Sequence, residues 1–454
     1  MQPALRGYET TLVSPGRELR RATAKCSGLL LIALLLAGTA WPYVFKSPIG
    51  FAAFALILVT TAIGPLPAAG ARARSRFMAA SFMFVAFGAL VLLLSIVRVF
   101  DIDPNLPVRG DFMLRQSYFL FLWFPFLLGA ISFWNALGRG VISACRAWGL
   151  PTLVVLACLD IAAGRLLGDQ TQLLRADYVY FFDKFGFQFV FALIYLIYLA
   201  QSRRWSAGLS LIVVYAIATK LLHSGIMFNA TTGTIFFVFL VASTIPLSSR
   251  RLQALGVVAV YLALTGLLAS GVLFPEWFAE DNNDVWRLMA WRSNFEALWQ
   301  SGLAGMGFGT PYFPVSAENL LNSMNNQFNT LSADLANSID PQYVRGQHSS
   351  IVNMFYRMGV IGGALFLYLN IVLIRAGFAN LKHRDPAVGR LGHATLVLFL
   401  MQIVQMTVHV GIETPIFLSI YMLTAALVLH LPSIAATQAL VKTGRAPLDG
   451  SRSR

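Results

Sequence analysis

Twelve stretches of this chain are each long and apolar enough to cross a lipid bilayer, and no other feature restricts its fold as much. A hydrocarbon core about 30 Å thick requires roughly 20 apolar residues per helix. The qualifying runs are 27–45, 48–69, 77–97, 117–135, 148–165, 180–201, 206–222, 231–248, 252–273, 351–374, 391–410 and 414–432. The fifth contains Asp160 and the tenth Arg357. Charged residues make up 12% of the chain against 57% apolar, well below the charged share of a soluble domain. The sequence therefore predicts an all-α polytopic membrane protein of about 12 transmembrane helices. Ala37-Gly38-Thr39-Ala40, within the first run, resembles a signal cleavage site. With eleven further runs behind it, the first is read as an uncleaved span.

Orientation follows from the cations, which cytoplasmic loops retain. With the N-terminus inside, the inner segments hold most of the 34 Lys and Arg, including Arg20, Arg21, Lys25, Arg72, Arg74, Arg76, Arg139, Arg146, Arg203, Arg204, Arg250, Arg251, Lys382 and Arg390. Only Glu9, Glu18, Asp385 and Asp449 oppose them. The net charge of +14 thus reports topology, and it calls for no nucleic-acid partner. Both termini are expected in the cytoplasm of a bacterial inner-membrane protein. Cys26, Cys145 and Cys158 have neither pairing nor metal-ligand spacing, so no disulfide framework, metal or other cofactor is expected.

The runs divide the chain into an N-terminal membrane region of about nine spans (1–273), one long outer loop (274–350), three further spans (351–432) and a cytoplasmic tail (433–454). Within the loop, 284–301 has amphipathic spacing, with Val285, Leu288, Trp291, Phe295, Leu298 and Trp299 near one face. Such a helix is expected along the outer membrane surface. The stretch 318–341, rich in Asn, Ser and Gln, reads as a partly helical lid.

Ionisable residues near a membrane are functional candidates. Asp160, Arg165, Lys220, His223, Arg287, Arg292, Arg345, His348, Arg357, His409 and Glu413 all map to the outer half or outer loops. Several arginines without metal-ligand spacing suit an anionic substrate, because guanidinium presents a fork that matches phosphate oxygens. Arg287 is placed to stabilise a departing diphosphate, and His348 to accept a proton from an attacking hydroxyl. The competing readings are structural. Arg287 and Arg292 also fit interfacial cations stacked on tryptophan, His348 a helix cap, Lys220 an interface anchor, and Asp160 a partner of Arg165 or of a neighbouring helix. Gly305, Gly307 and Gly309 fit a tight turn as well as a phosphate site.

Two groups of residues carry a resemblance. Arg287, Trp291, Ala297, Leu298, Gly305, Gly307 and Gly309 form one; His348, Ile351, Val352, Gly359 and Gly362 form the other. In this order, flanking the long outer loop, they resemble the arginine-tryptophan-glycine and loop-closing histidine patterns of the O-antigen ligase and polymerase superfamily. Members are integral-membrane glycosyltransferases acting on undecaprenyl-diphosphate-linked glycans. The sequence departs from that pattern at Ser349, where Asn is common, at Gly302, where Pro is common, and at 230–234, where an arginine is absent.

The resemblance implies a GT-C-like membrane fold with a long periplasmic loop and a metal-independent, inverting transfer. It implies His348, Arg287 and Glu413 as catalytic residues. Arg292, Lys220, Arg175, Arg345 and Trp291 follow as substrate-binding candidates, with Lys220 or Arg175 in place of the absent arginine. The donor would be a polyprenyl-diphosphate-linked glycan, and the acceptor lipid A core (a ligase) or a second lipid-linked glycan (a polymerase). The single long outer loop favours the ligase. A transporter or flippase of a lipid-linked anion is the reading from another class, and a non-catalytic export scaffold a third. Sugar identity and oligomeric state are not encoded in these residues.

Overall fold

The computed structural model describes residues 15–40, 42–63, 71–100, 108–167, 184–202, 204–222, 282–311, 349–383, 385–408 and 411–442, with isolated positions between 240 and 266. Among the described residues all regular structure is helical. The helices are α1 (Pro15–Ala40), α2 (Pro48–Ile63), α3 (Ala71–Ile96), α4 (Gly110–Leu167), α5 (Lys184–Ser202), α6 (Trp205–Leu221), α7 (Asn282–Gln300), α8 (Ser350–Leu381), α9 (Pro386–Val408) and α10 (Pro415–Lys442). A 3-10 turn, Pro42–Lys46, joins α1 to α2. Among the described residues, five helical segments are long and apolar enough to span a membrane: Ala73–Ile96, Gly110–Ala162, Ser350–Leu381, Val388–Thr407 and Pro415–Pro432. Four shorter apolar helices accompany them. The chain is thus an α-helical membrane protein, as its composition predicts.

α4 differs from expectation. It is helical for 58 residues, through Pro125 and Pro151, where the sequence predicts two spans and a loop. A straight helix of that length would measure about 87 Å, far more than one crossing needs. Its contacts are those of two antiparallel segments. The turn at 411–414 sets the starts of α9 and α10 at opposite ends of the bundle. α5 touches both, with Phe189 edge-on to Phe417 and the Ala200 carbonyl accepting from Arg390 Nε at 2.9 Å. Gly149 lies against Tyr198, towards the Arg390 end. Asp160 accepts from Tyr215, whose ring stacks on Phe191, nearer the Phe417 end. Residues 149–160 therefore run back towards the end from which α4 set out at Gln116. The chain reverses within α4 while its helical structure continues through the residues expected to form the loop.

Burial separates centre from rim. In α9 nearly every residue of the Val388–Thr407 span is buried, whereas only about a third of the Ala73–Ile96 span of α3 is, and Phe82, Met83, Leu90 and Leu93 turn outward. An apolar helix buried all round belongs in the middle of a bundle; one with an exposed apolar face belongs against lipid. The interior is aromatic: Phe84 packs on Phe119, Trp123 and Phe366, and Tyr421 packs on Trp123 and Phe399. Side-chain polar groups reach across helices. Trp134 Nε1 donates to the Leu423 carbonyl at 2.7 Å, Asn380 Nδ2 to the Val428 carbonyl at 2.8 Å, and Gln402 Nε2 to Thr424 Oγ1 at 2.6 Å. Such bonds matter where lipid offers no alternative partner.

One extended segment enters this helical frame. Residues 302–311 leave the end of α7 and cross α8 where Gly359, at φ 67° and ψ −171°, interrupts the helical backbone. The interruption frees backbone carbonyls and an amide that the strap uses. Met306 N donates to the Tyr356 carbonyl at 2.7 Å, Gly307 N to the Arg357 carbonyl at 3.0 Å, and Val360 N to the Leu303 carbonyl at 3.0 Å. The approach leaves no room for side chains. A Cβ on Gly305 would lie 2.4 Å from Gly359 N, and one on Gly359 2.4 Å from the Ala304 carbonyl oxygen.

Candidate functional site

Two charged residues flank the first turns of α8, and the sequence folds differently around each. Arg357 has no exposed surface. Its Nη1 donates to the Gly307 carbonyl at 3.2 Å, the Thr310 carbonyl at 2.8 Å and Thr310 Oγ1 at 2.5 Å. The strap is pinned by other side chains too. Phe308 N donates to Ser95 Oγ at 2.8 Å, Gly309 N to Gln116 Oε1 at 2.7 Å, Gln116 Nε2 to the Thr310 carbonyl at 3.0 Å and Tyr356 Oη to the Pro311 carbonyl at 2.9 Å. Gly305, Gly307 and Gly309 have φ between 71° and 88°. In the strap they are a tight connection between α3, α4 and α8, which favours the turn reading over the phosphate one.

Glu413 lies in the short turn between α9 and α10, against the start of α8. Ser349 begins that helix as its N-cap, accepting from Val352 N at 3.2 Å. Ser350, one residue on, is the hub. Its hydroxyl donates to Glu413 Oε2 at 2.5 Å and accepts from Gly411 N at 2.7 Å and Ile412 N at 3.2 Å. Asn353, one turn further along α8, donates from Nδ2 to Glu413 Oε1 at 2.7 Å. Glu413 keeps some exposed surface while protein is dense around its carboxyl. Burial pushes that carboxyl above its usual range, and the hydrogen bonds from Ser350, Asn353 and the backbone amides of Glu413 and Gly411 only partly offset the shift. The result is a carboxyl held by several donors, close to a helix N-terminus, yet inclined to hold a proton.

The other sequence-derived candidates are distributed unevenly. Trp291 is buried on α7 with Asn294, Ala297 and Leu298. Arg292 is exposed, and its Nε pairs with Glu296 Oε1 at 3.0 Å, one turn along. Phe295 and Trp299 are also exposed, at 46% and 76%, so of the apolar residues expected on one face of this helix, the four whose side chains are described divide into two buried and two exposed. Lys220 is exposed in the last turn of α6, at the Phe417 end of the bundle. Arg287 lies within α7, but its side chain is outside the described residues, as are His348, Arg175, Arg345 and His409. The 318–341 stretch is outside them as well. Asp160 bonds Tyr215 Oη at 2.5 Å, the neighbouring-helix alternative to an Arg165 pair.

Ser350, Asn353, Gln116, Ser95 and Thr310 were not singled out by the sequence. The only available signal was the i, i+3 spacing of Ser350 and Asn353 opposite a turn too short to hide Glu413. His393 and His430, buried on α9 and α10, were also missed. His430 is close enough to Arg74, at the start of α3, to feel its charge, so buried ionisable groups are not confined to the Glu413 end. No protein-family model matches the sequence, and no curated protein matches it.

Proposed function

We propose that this protein is a bacterial inner-membrane glycosyltransferase of the O-antigen ligase type. In this reading it moves a glycan from a polyprenyl diphosphate to lipid A core at the outer face. The observation that carries it is the Glu413 carboxyl, held by Ser350 and Asn353 at the start of α8, two positions after His348 in sequence. The acceptor hydroxyl oxygen attacks the anomeric carbon as the bond to the diphosphate breaks. The leaving diphosphate carries away the electron pair, and Arg287 neutralises it. The hydroxyl proton passes to His348 or Glu413. A carboxyl with a raised pKa suits that exchange, since it takes and returns a proton nearer neutral pH.

The test is direct. Purified protein is incubated with a polyprenyl-diphosphate oligosaccharide and lipid A core, under chelator, alongside Arg287→Ala, His348→Ala and Glu413→Gln. Release of polyprenyl diphosphate coupled to a heavier glycolipid, lost in the variants, supports the ligase. Glycan chains lengthening on the carrier instead mean a polymerase. A protein that forms no glycosidic bond with either acceptor defeats the enzyme reading. The buried His393 and His430 favour the second reading, a transporter of a lipid-linked anion, because such a protein needs ionisable groups through the membrane's depth.

A further inference from the structure

The turn between α1 and α2 is more tightly built than a link between two spans requires. Ser47 N and Oγ both donate to the Val44 carbonyl, at 3.1 and 2.7 Å, and Gly50 N donates to Ser47 Oγ at 3.1 Å. Tyr118 of α4 donates its hydroxyl to the Phe45 carbonyl, and buried Phe45 packs edge-on against Phe126. This frame fixes Lys46 beside α4, with its Nζ 6.0 Å from the centroid of the Tyr118 ring. Arg115 stands one helical turn before Tyr118 on the same helix. Both cations are exposed.

Lys46 has its ammonium pKa lowered, first by the surrounding protein and then by the charge of Arg115. Two like charges on a rigid frame repel, and among the described residues no carboxylate forms an ion pair with either. The nearby carboxylate on α4, Asp111, is already engaged by Arg109 at 2.6 Å. Around the two cations the surface is apolar and exposed: Ile49 at 67%, Phe51 at 52% and Leu114 at 64%. Cations above a lipid-facing apolar rim meet phosphate at the membrane interface. Arg115 can offer a phosphate a fork of N–H donors and Lys46 a compact point charge.

We propose that Lys46 and Arg115 form a binding site for the phosphate of a membrane phospholipid, seated with its acyl chains along Phe51 and Leu114. The site shares no residue with the Glu413 cluster and does not depend on the transferase reading.

Full-length protein in detergent is titrated with short-chain phosphatidylglycerol, with diacylglycerol and with inorganic phosphate, and binding is read by native mass spectrometry. Phosphatidylglycerol should bind the wild type at least about ten-fold more tightly than Lys46→Gln/Arg115→Gln, and diacylglycerol should not distinguish the two. Lys46→Arg should retain binding. Equal melting temperatures for wild type and double variant show that loss of the lipid is not loss of the fold. Equal phosphatidylglycerol affinity in the two proteins overturns the site. Inorganic phosphate binding as tightly as the lipid overturns the phospholipid assignment. Asp101 and Asp103 lie in an adjoining segment outside the described residues. If Asp101→Asn/Asp103→Asn binds the lipid and the wild type does not, the protein's own carboxylates fill the site and the proposal fails.

Discussion

Arg357 and Glu413 lie on either side of the opening turns of α8, and the protein treats them in opposite ways. Arg357 is sealed from solvent, and its guanidinium donates to the strap oxygens of Gly307 and Thr310. Glu413 keeps a share of its surface, and its donors do not offset the burial of its charge. A charge surrounded by carbonyls in a helix interruption is part of the architecture. A charge that solvent still reaches, with a pKa displaced from its usual range, is available for proton transfer.

The sharpest test of that contrast is Arg357→Met. It removes three charge-assisted hydrogen bonds from a dry interior, leaving the Thr310 carbonyl to Gln116 and the Gly307 carbonyl to Thr310 Oγ1, so a loss of about 3 kcal/mol is expected. Gly359→Ala should be comparably damaging, because its φ of 67° and the Ala304 carbonyl 2.4 Å from a new Cβ both resist a side chain. Thermal unfolding in detergent measures both. If Arg357→Met melts like the wild type but loses activity, the residue is functional and the comparison breaks.

Ser350→Ala comes next. It deletes the donor to Glu413 and the acceptor for Gly411 N and Ile412 N, for an expected cost of about 1–3 kcal/mol. Because the Ser350 bond lowers the Glu413 pKa, its removal should move any activity limb that Glu413 governs further upward in pH. A limb that moves down, or does not move, separates Ser350 from the carboxyl.

Glu413→Gln sharpens the other side. The folded carboxyl is raised above its unfolded value, so its contribution to stability is full below the unfolded pKa and is lost as pH rises through the folded one. The Gln variant lacks that dependence. It should therefore gain on the wild type as pH rises, while losing transfer at every pH. A wild-type stability that climbs with pH over that range, relative to the variant, would mean a lowered carboxyl instead.

How far these residues could be read beforehand depends on the kind of contact involved. The spans are legible because each carries its signal locally, in some twenty consecutive side chains, and α3, α8, α9 and α10 fall where the apolar runs place them. The uninterrupted helix through Arg139 and Arg146 was not legible: charge marks which side of the membrane a segment occupies and says little about whether its backbone stays helical. Glu413 could be found because a carboxylate in a turn between two apolar runs is conspicuous. Its partners could not, since Ser350 and Glu413 are 63 residues apart and a serine after a helix cap is unremarkable. The glycines were visible at 305, 307 and 309, but what each lies against was not: Gly359 at Gly305, Phe100 at Gly307 and Met113 at Gly309, contacts that only the packed chain supplies.

The smallest expected effect belongs to Arg292, the third kind of charge in the molecule. It is exposed and paired with Glu296 one helical turn away, an arrangement worth about 0.3–0.5 kcal/mol. Arg292→Ala should therefore leave the melting temperature almost unchanged. That near-neutrality makes the variant useful, because any rise in KM for a diphosphate-linked donor would then report a lost contact with substrate and not a damaged helix. Glu296→Gln provides the complement: it releases Arg292 from its partner, so a substrate contact should strengthen where the alanine variant weakens it. If Arg292→Ala instead lowers stability by as much as Ser350→Ala, exposure does not decide the cost of losing a charge here, and the distinction between Arg357 and Glu413 loses its basis.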